Sequence, residues 1–369
     1  MQNHPGLRPV QCLNTMYEND TRTVMTLDAG GTNFVFSAIR GCREVVRPVR
    51  LDAVTDDVQR CLDVLVDGFR QVEKALPERP AAISFAFPGP ADYEAGIIGD
   101  LPNFPCFRGG VAMGPYLSDV FGLPVFINND GNLFAYGEAL AGILPEINSR
   151  LEEAGSTQRY HNLIGLTLGT GFGAGVVLDG TLLRGDNGCG GDVWLMRNVH
   201  FHEKIAEESV SIRAVKRMYR EKSGSTEDLS PKAIYEIACG RKEGDAEAAK
   251  DTFHEMGTAI ADALAHALDI ADGLVVIGGG LSGAYEFIIP SVVEAVKPWV
   301  QMDVFDLTTG DGLRSFLEDS SVPIPIPGSS HTVRYRKGKK TGVAVSHLGT
   351  SEAVSIGAYA YALSMIDAL

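Results

Sequence analysis

The sequence predicts a two-lobed α/β protein, and three observations carry that expectation. At 369 residues the chain exceeds the usual size of one domain. Each half opens on a strand, a glycine-rich turn and a second strand. A third strand-like run, Leu274–Ile277, leads into Gly278-Gly279-Gly280-Leu281-Ser282-Gly283 and a helical pattern that continues to about Val296.

Composition bounds the function. Hydrophobic residues at 45% and charged residues at 21% suit a globular protein with a full core. A formal net charge of -15 argues against nucleic acid as a partner, because that binding rests on Lys and Arg meeting phosphate. The six cysteines are scattered without a C-x-x-C pair, which reads as reduced thiols in a cytoplasm. Met1 to Asn19 lacks the basic start and apolar core of a signal peptide. No apolar run reaches membrane-spanning length, so no membrane contact is expected.

In the first half, Val24–Leu27 and Phe34–Ile39 flank Asp28-Ala29-Gly30-Gly31-Thr32-Asn33. Adjacent glycines admit positive φ and let a ligand approach the backbone amides. Thr32 adds a hydroxyl donor, and Asp28 offers the oxygen that Mg²⁺ favours, through water. Taken alone, the glycine pair reads as a turn. Thr55 to Ala75 has helical spacing, and Ala81 to Phe87 reads as a buried strand stopped by Pro88-Gly89-Pro90. Asn103 lies between two prolines in a stiff loop.

An apolar run, Pro124–Ile127, then meets Asn128-Asn129-Asp130-Gly131-Asn132 and a helix-like stretch. The polar group reads either as a helix cap or as a ligand-facing strand end with an ionised carboxylate at the start of a helix. Asn129 and Asn132 have donors and acceptors suited to a polyhydroxylated ligand.

Pro145 to Asn162 is polar and reads as a surface insertion or connection. The second hairpin follows: Leu163–Leu168, then Gly169-Thr170-Gly171-Phe172-Gly173-Ala174-Gly175, then Val176–Leu178. The two glycine hairpins, one per lobe, are expected to hold a polyphosphate between their amides. Neither is a Walker A loop, since no Gly-Lys-Ser/Thr follows, and a strand follows Gly175 where a dinucleotide fingerprint needs a helix.

Helices are expected over Lys204–Lys222, from Ser230-Pro231 through Ala238, and over Asp245–Ile270. The triple glycine at 278–280 makes a surface free of side chains where an adenosine lies close. Thr332 to Lys340 reads as a basic hairpin turning at Lys337-Gly338 with a solvated charged face, and the chain ends in an alanine-rich helix.

With these residues in view, the chain resembles the ROK family, which shares the actin-like ATPase (ribonuclease H-like) fold with hexokinases. The resemblance runs from about Val24 to the C-terminus. Asp28-Ala29-Gly30-Gly31-Thr32 resembles the first phosphate motif, Leu168-Gly169-Thr170-Gly171-Phe172-Gly173 the second, and Gly278-Gly279-Gly280-Leu281-Ser282 the adenosine motif. Asn129-Asp130-Gly131-Asn132 occupies the place of the catalytic Asn-Asp pair.

The resemblance implies a glucokinase-like enzyme that moves the γ-phosphate of MgATP to a hexose hydroxyl, expectedly the 6-hydroxyl. It implies Asp130 as catalytic base, and Pro88, Gly89, Asn103, Asn129, Asp130, Asp192 and Glu207 as sugar contacts, with Glu208 a one-residue alternative to Glu207. ATP would be held by Asp28, Gly30, Gly31, Thr32, Asn33, Gly169, Thr170, Gly171, Gly279, Gly280 and Leu281. The expected division is an N-terminal extension (1–23), a first lobe (24–130) completed by the helix 350–369, and a second lobe (131–349) with an insertion at about 302–345. An interlobe cleft and a homodimer complete the expectation.

One motif departs from the family. Gly191-Asp192-Val193-Trp194-Leu195 stands where Gly-Glu-Ile-Gly-His is usual, and the zinc-binding cysteines are replaced by Asn198 to Ala206. No zinc is therefore expected, despite His200 and His202. Asp192 is shorter than Glu and Trp194 offers a stacking face, so the sugar is left open. The alternatives are a catalytically silent sugar-binding protein and a sugar-responsive repressor, for which the segment before Val24 is too short.

Overall fold

The computed structural model describes residues 17–29, 33–89, 91–99 and 105–368. The chain divides into two compact units, one of the described residues up to Asn129 and from Ser355 on, the other Asp130–Val354.

The first unit is built on one sheet. Strands β1 (Val24–Ala29) and β2 (Asn33–Arg40) pair antiparallel with Asp28 opposite Val35, and the short β3 (Arg43–Glu44) and β4 (Val49–Asp52) both pair with β2. Helix α1 (Val58–Ala75) follows, capped by Asp57, whose carboxylate accepts the Arg60 N–H at 2.9 Å. The expected start at Thr55 thus moves to Val58. Strand β5 (Ala82–Ala86) lies parallel to β1, β6 (Ala91–Asp92) and β7 (Ile97–Ile98) make a small hairpin, and α2 (Met113–Phe121) leads to β8 (Val125–Asn128), parallel to β5. Gly68 lets α1 approach so closely that a Cβ there would enter the Phe36 ring. Phe36, Phe69 and Phe85 form the centre of the core, with Phe36 and Phe69 edge to face at 5.1 Å.

The second unit starts with α3 (Asp130–Leu140) and α4 (Ile143–Glu153). The surface insertion expected over Pro145 to Asn162 is largely this fourth helix. Its charges mask the period: Ile143, Leu144, Ile147 and Leu151 are buried while Glu146 and Arg150 pair four residues apart at 2.8 Å. Pro145 falls in the first turn, where its missing N–H costs no helical hydrogen bond.

Strands β9 (Leu163–Leu168), β10 (Phe172–Leu178) and β11 (Thr181–Leu182) run antiparallel in sequence. Helix α5 (Ile212–Ser223) is shorter than the expected Lys204–Lys222, because Ser211 caps it and Ala206–Glu208 forms a separate 3-10 turn. Helices α6 (Pro231–Ala238) and α7 (Ala246–Ala271) match the expected positions. Then come β12 (Leu274–Gly278), α8 (Tyr285–Val296), β13 (Asp303–Asp306), α9 (Gly310–Leu317), β14 (Ser321–Pro325), β15 (Thr332–Arg336) and β16 (Lys340–Val345). The sheet order is β11-β10-β9-β12-β16-β13.

Residues 302–345 are therefore not one insertion. β16 is an inner strand between β12 and β13, its Thr341–Val343 buried, and only β14 and β15 stand apart as a two-stranded sheet. The hairpin also turns elsewhere than expected. Thr332–Arg336 pairs back onto Ser321–Pro325 through a turn in which Gly328 takes φ 75°, and Lys337-Gly338 is instead the link into β16.

The last helix, α10 (Thr350–Asp367), carries Tyr359 into the core of the first unit, where its hydroxyl accepts the Gly41 N–H at 3.0 Å.

Candidate active site

In the first unit, three of the expected site segments sit at the carboxyl ends of neighbouring parallel strands, where open α/β sheets place ligands. Asp28 is the penultimate residue of β1, Pro88-Gly89 follows β5, and Asn129 follows β8. The Phe87 N–H donates to the Asn128 carbonyl at 3.0 Å, which fixes the Pro88-Gly89 turn beside Asn129. Tyr93 braces the same turn by donating to the Phe87 carbonyl at 2.9 Å. Asn128, almost fully buried, accepts the Asn129 N–H on its side-chain oxygen at 2.8 Å. Asn33 opens β2 opposite Asp52. Gly30, Gly31, Thr32 and Asn103 lie outside the described residues.

The second unit brings together the other expected groups. Asp130 is the first residue of α3, exposed, with its carboxylate accepting the Gly131 N–H at 2.9 Å. The residue thus opens a helix and is exposed. The helix dipole favours the ionised form there.

Glycines decide where α3 lies. A Cβ on Gly131 would come 2.6 Å from the Ala174 carbonyl oxygen, and one on Gly175 would come 2.5 Å from the Gly131 oxygen. Helix and strand backbones therefore touch, which puts Asp130 Oδ1 within 3.7 Å of where a Cβ on Gly173 would stand.

Gly169, Thr170 and Gly171 form the β9–β10 turn, closed by the Gly169 N–H on the Gly171 carbonyl at 3.0 Å. The Gly169 carbonyl accepts the Ile212 N–H at 2.9 Å and so ties the turn to the start of α5. Glu207 lies at this turn. Its carboxylate accepts the Phe172 N–H at 3.1 Å and pairs with Arg213 at 2.9 Å. Neighbouring Glu208 also binds Arg213, which holds its carboxyl below the usual range.

Asp192 is half-buried in a loop whose Gly191 takes φ 90° and sits over Gly175. Burial pushes its carboxyl upward, opposed by hydrogen bonds with Trp194 and Cys189. Trp194 packs in part against the core of the second unit, whereas Leu195 is exposed.

The adenosine-like segment has a defined shape. Gly279 takes φ 89° with its Cα against the Leu168 backbone, where a Cβ would clash. Its N–H donates to Thr350 Oγ1 at 2.8 Å. A 3-10 turn over Gly280–Ala284 precedes α8, and Gly169, Gly280 and Gly283 have nothing within 4 Å of an added Cβ. Leu281 is only 4% exposed, so its side chain serves the core and only its backbone can face a nucleotide.

Several supporting residues gave little sign in the sequence. Asn198 is buried and holds the 198–209 loop, donating to the Ile205 carbonyl at 3.0 Å and to Ser209 Oγ at 2.9 Å while accepting the His200 and Phe201 N–H groups. His200 is engaged with the Glu255 carbonyl and Thr258 Oγ1 at 3.1 and 3.0 Å. Thr350 and Arg213 meet their partners only through folding. The run of Asn residues at 128–129 was the one sequence cue to the strand-end network.

Comparison with known proteins bears on this arrangement. The sequence model of the ROK family matches residues 24–308. A glucokinase of Thermotoga maritima is 26% identical over 298 residues, 74% of this chain and 87% of its own length. An N-acetyl-D-glucosamine kinase of Vibrio cholerae is 28% identical over 289 residues, 73% of this chain and 87% of its own. The crystal structure of a glucokinase from Parabacteroides distasonis is 57% identical, with a TM-score of 0.88 over 95% of this chain and 99% of that one. With that match, and with an α/β architecture shared with sugar kinases of the actin-like ATPase fold, the chain belongs to the ROK family.

Proposed function

We propose that this chain phosphorylates the 6-hydroxyl of a hexose with MgATP, with Asp130 as the base. That it is an ATP-using sugar kinase of the glucokinase type follows from its relatives. The observation that carries the site reading is the exposed Asp130 carboxylate, set by the Gly131–Ala174 contact on the strand that follows the Gly169–Gly171 turn.

The residues present fit a nucleotide. Gly169, Gly280 and Gly283 leave open space beside the backbone where side chains would obstruct an adenosine or its phosphates. Backbone amides of Gly169, Thr170 and Gly171, with those of 30–32, would hold the phosphates, and Asp28 would bind Mg²⁺ through water. Bound MgATP supplies the transferable phosphoryl group.

The chain's own part is positioning and charge. Pro88, Gly89, Asn103 and Asn129 orient the sugar. Asp130 accepts the hydroxyl proton on a carboxylate oxygen and aims the sugar oxygen. Asp192 and Glu207 recognise hydroxyls away from the reacting one. A retained Glu207 in place and a shortened Asp192 favour a hexose, with specificity altered at the Asp192 end.

The working form in this reading is a cytoplasmic homodimer without nucleic acid as a partner. The chain's acidity argues against nucleic acid as a partner, and no helix among the described residues is long and apolar enough to cross a membrane. An ADP-release assay over glucose, mannose, fructose and N-acetylated amino sugars, with and without Mg²⁺, tests the proposal. Turnover with a hexose that stops on chelation is expected. Sugar binding without ADP release from any of them would establish a silent sugar-binding protein instead.

A further inference from the structure

The β14–β15 hairpin has no part in the site described above. It pairs with no other strand among the described residues. Val322 stands opposite Tyr335 and Ile324 opposite Val333. Side chains alternate along a strand, so these four share one face, while Pro323, Pro325, Thr332 and Arg334 share the other. Val322, Ile324, Ile326, Val333 and Tyr335 are 38–53% exposed, which leaves that apolar face uncovered. A lone two-stranded hairpin is marginal in water, and an exposed apolar sheet face of this kind marks an interaction surface.

Charge identifies the partner. Residues 321–339 contain Arg334, Arg336, Lys337 and Lys339 and no Asp or Glu. Removing these four from the 32 basic residues leaves 28 against 47 acidic ones, so an arm of +4 projects from a body of -19. Arg334 pairs with Asp319 at the base of the hairpin, whereas Arg336, Lys337 and Lys339 form no ion pair among the described residues. A second copy of the chain therefore presents the complementary acidic surface. Two arms laid on each other would oppose like charges, which favours arm on body.

The prolines limit how it docks. Proline is tolerated in an edge strand where its missing N–H faces outward, so Pro323 and Pro325 deprive the outer edge of β14 of donors. Sheet extension from that edge is disfavoured, which favours the apolar face as the contact.

We infer that the β14–β15 hairpin is the arm through which two copies of this chain associate, its apolar face and basic residues seated on the acidic body of the second copy. The inference rests on the homodimer in the functional reading and names its surface.

Sedimentation velocity on the full chain over a concentration series tests it, with far-UV circular dichroism to check folding. Wild type is expected to dimerise, more weakly as salt rises. Ile324→Asp with Tyr335→Asp, and separately Arg336→Glu with Lys337→Glu, are expected to weaken dimerisation at least about a hundredfold. The second pair keeps the test open if the first disturbs folding. A wild-type dimer unchanged in the folded variants overturns the arm and leaves the homodimer standing. A wild type monomeric throughout overturns both.

Discussion

Glu207 accepts the backbone N–H of Phe172 at 3.1 Å, so a carboxylate from a 3-10 turn braces the strand that leaves the Gly169–Gly171 turn. The same carboxylate is held from the other side by Arg213 at 2.9 Å. Under the proposed function, sugar recognition and the shape of the phosphate turn would be linked through this one side chain.

Glu207→Ala should therefore disturb both substrates. Hydrogen bonds to a charged group contribute about 1.5–3 kcal/mol, and each 1.4 kcal/mol corresponds to roughly tenfold in rate. A loss of about tenfold or more in kcat/KM for sugar and for ATP is expected. Steady-state kinetics with each substrate varied would check it; an effect on sugar alone would deny the brace.

Asp130→Asn keeps the size of the side chain and its oxygen for the Gly131 N–H but cannot accept the hydroxyl proton. Sugar-dependent ADP release should fall roughly 10²- to 10⁴-fold while sugar affinity by calorimetry stays close to wild type. Near-normal turnover would refute the assignment.

Two glycine substitutions separate packing from ligand contact. Gly131→Ala forces a Cβ to 2.6 Å from the Ala174 oxygen and should cost about 1–3 kcal/mol or more by thermal melting. Gly280→Ala meets no atom within 4 Å and needs no positive φ, so the melting temperature should hold. If the nucleotide lies there, the KM for ATP rises; unchanged ATP kinetics would move the adenosine elsewhere.

Glu138 gives a pH dependence. It is fully buried beside Ser346 and Ile143, and burial pushes its carboxyl above the ordinary value of 4.5, opposed by hydrogen bonds from both partners. The folded state then holds the proton to higher pH than the unfolded state does. Stability from this group is lost as pH rises from 4.5 through the raised folded value. Glu138→Gln, which can donate to Ser346 and accept from Ile143, should gain on wild type in melting temperature as pH rises above about 4.5. A constant difference across that range would show that Glu138 does not titrate with folding.

The sequence by itself determined the elements and the order of the glycine motifs. Periods of two and 3.6 are local, and so are the caps at Asp57, Ser230 and Asp245. It was misleading where charge hid an apolar stripe, as in Ile143–Glu153, and where strand pairing was distant. β16 joins β12, more than 60 residues back, and Thr332–Arg336 turns at Gly328 and not at Gly338. Asp130 shows the division within one residue. Its place before a helix was legible, but a cap and an accessible carboxylate share that signature. Only the close approach of α3 to β10, permitted by Gly131 and Gly175, decided which atoms surround it, because a missing Cβ acts on whatever the fold brings within 3 Å.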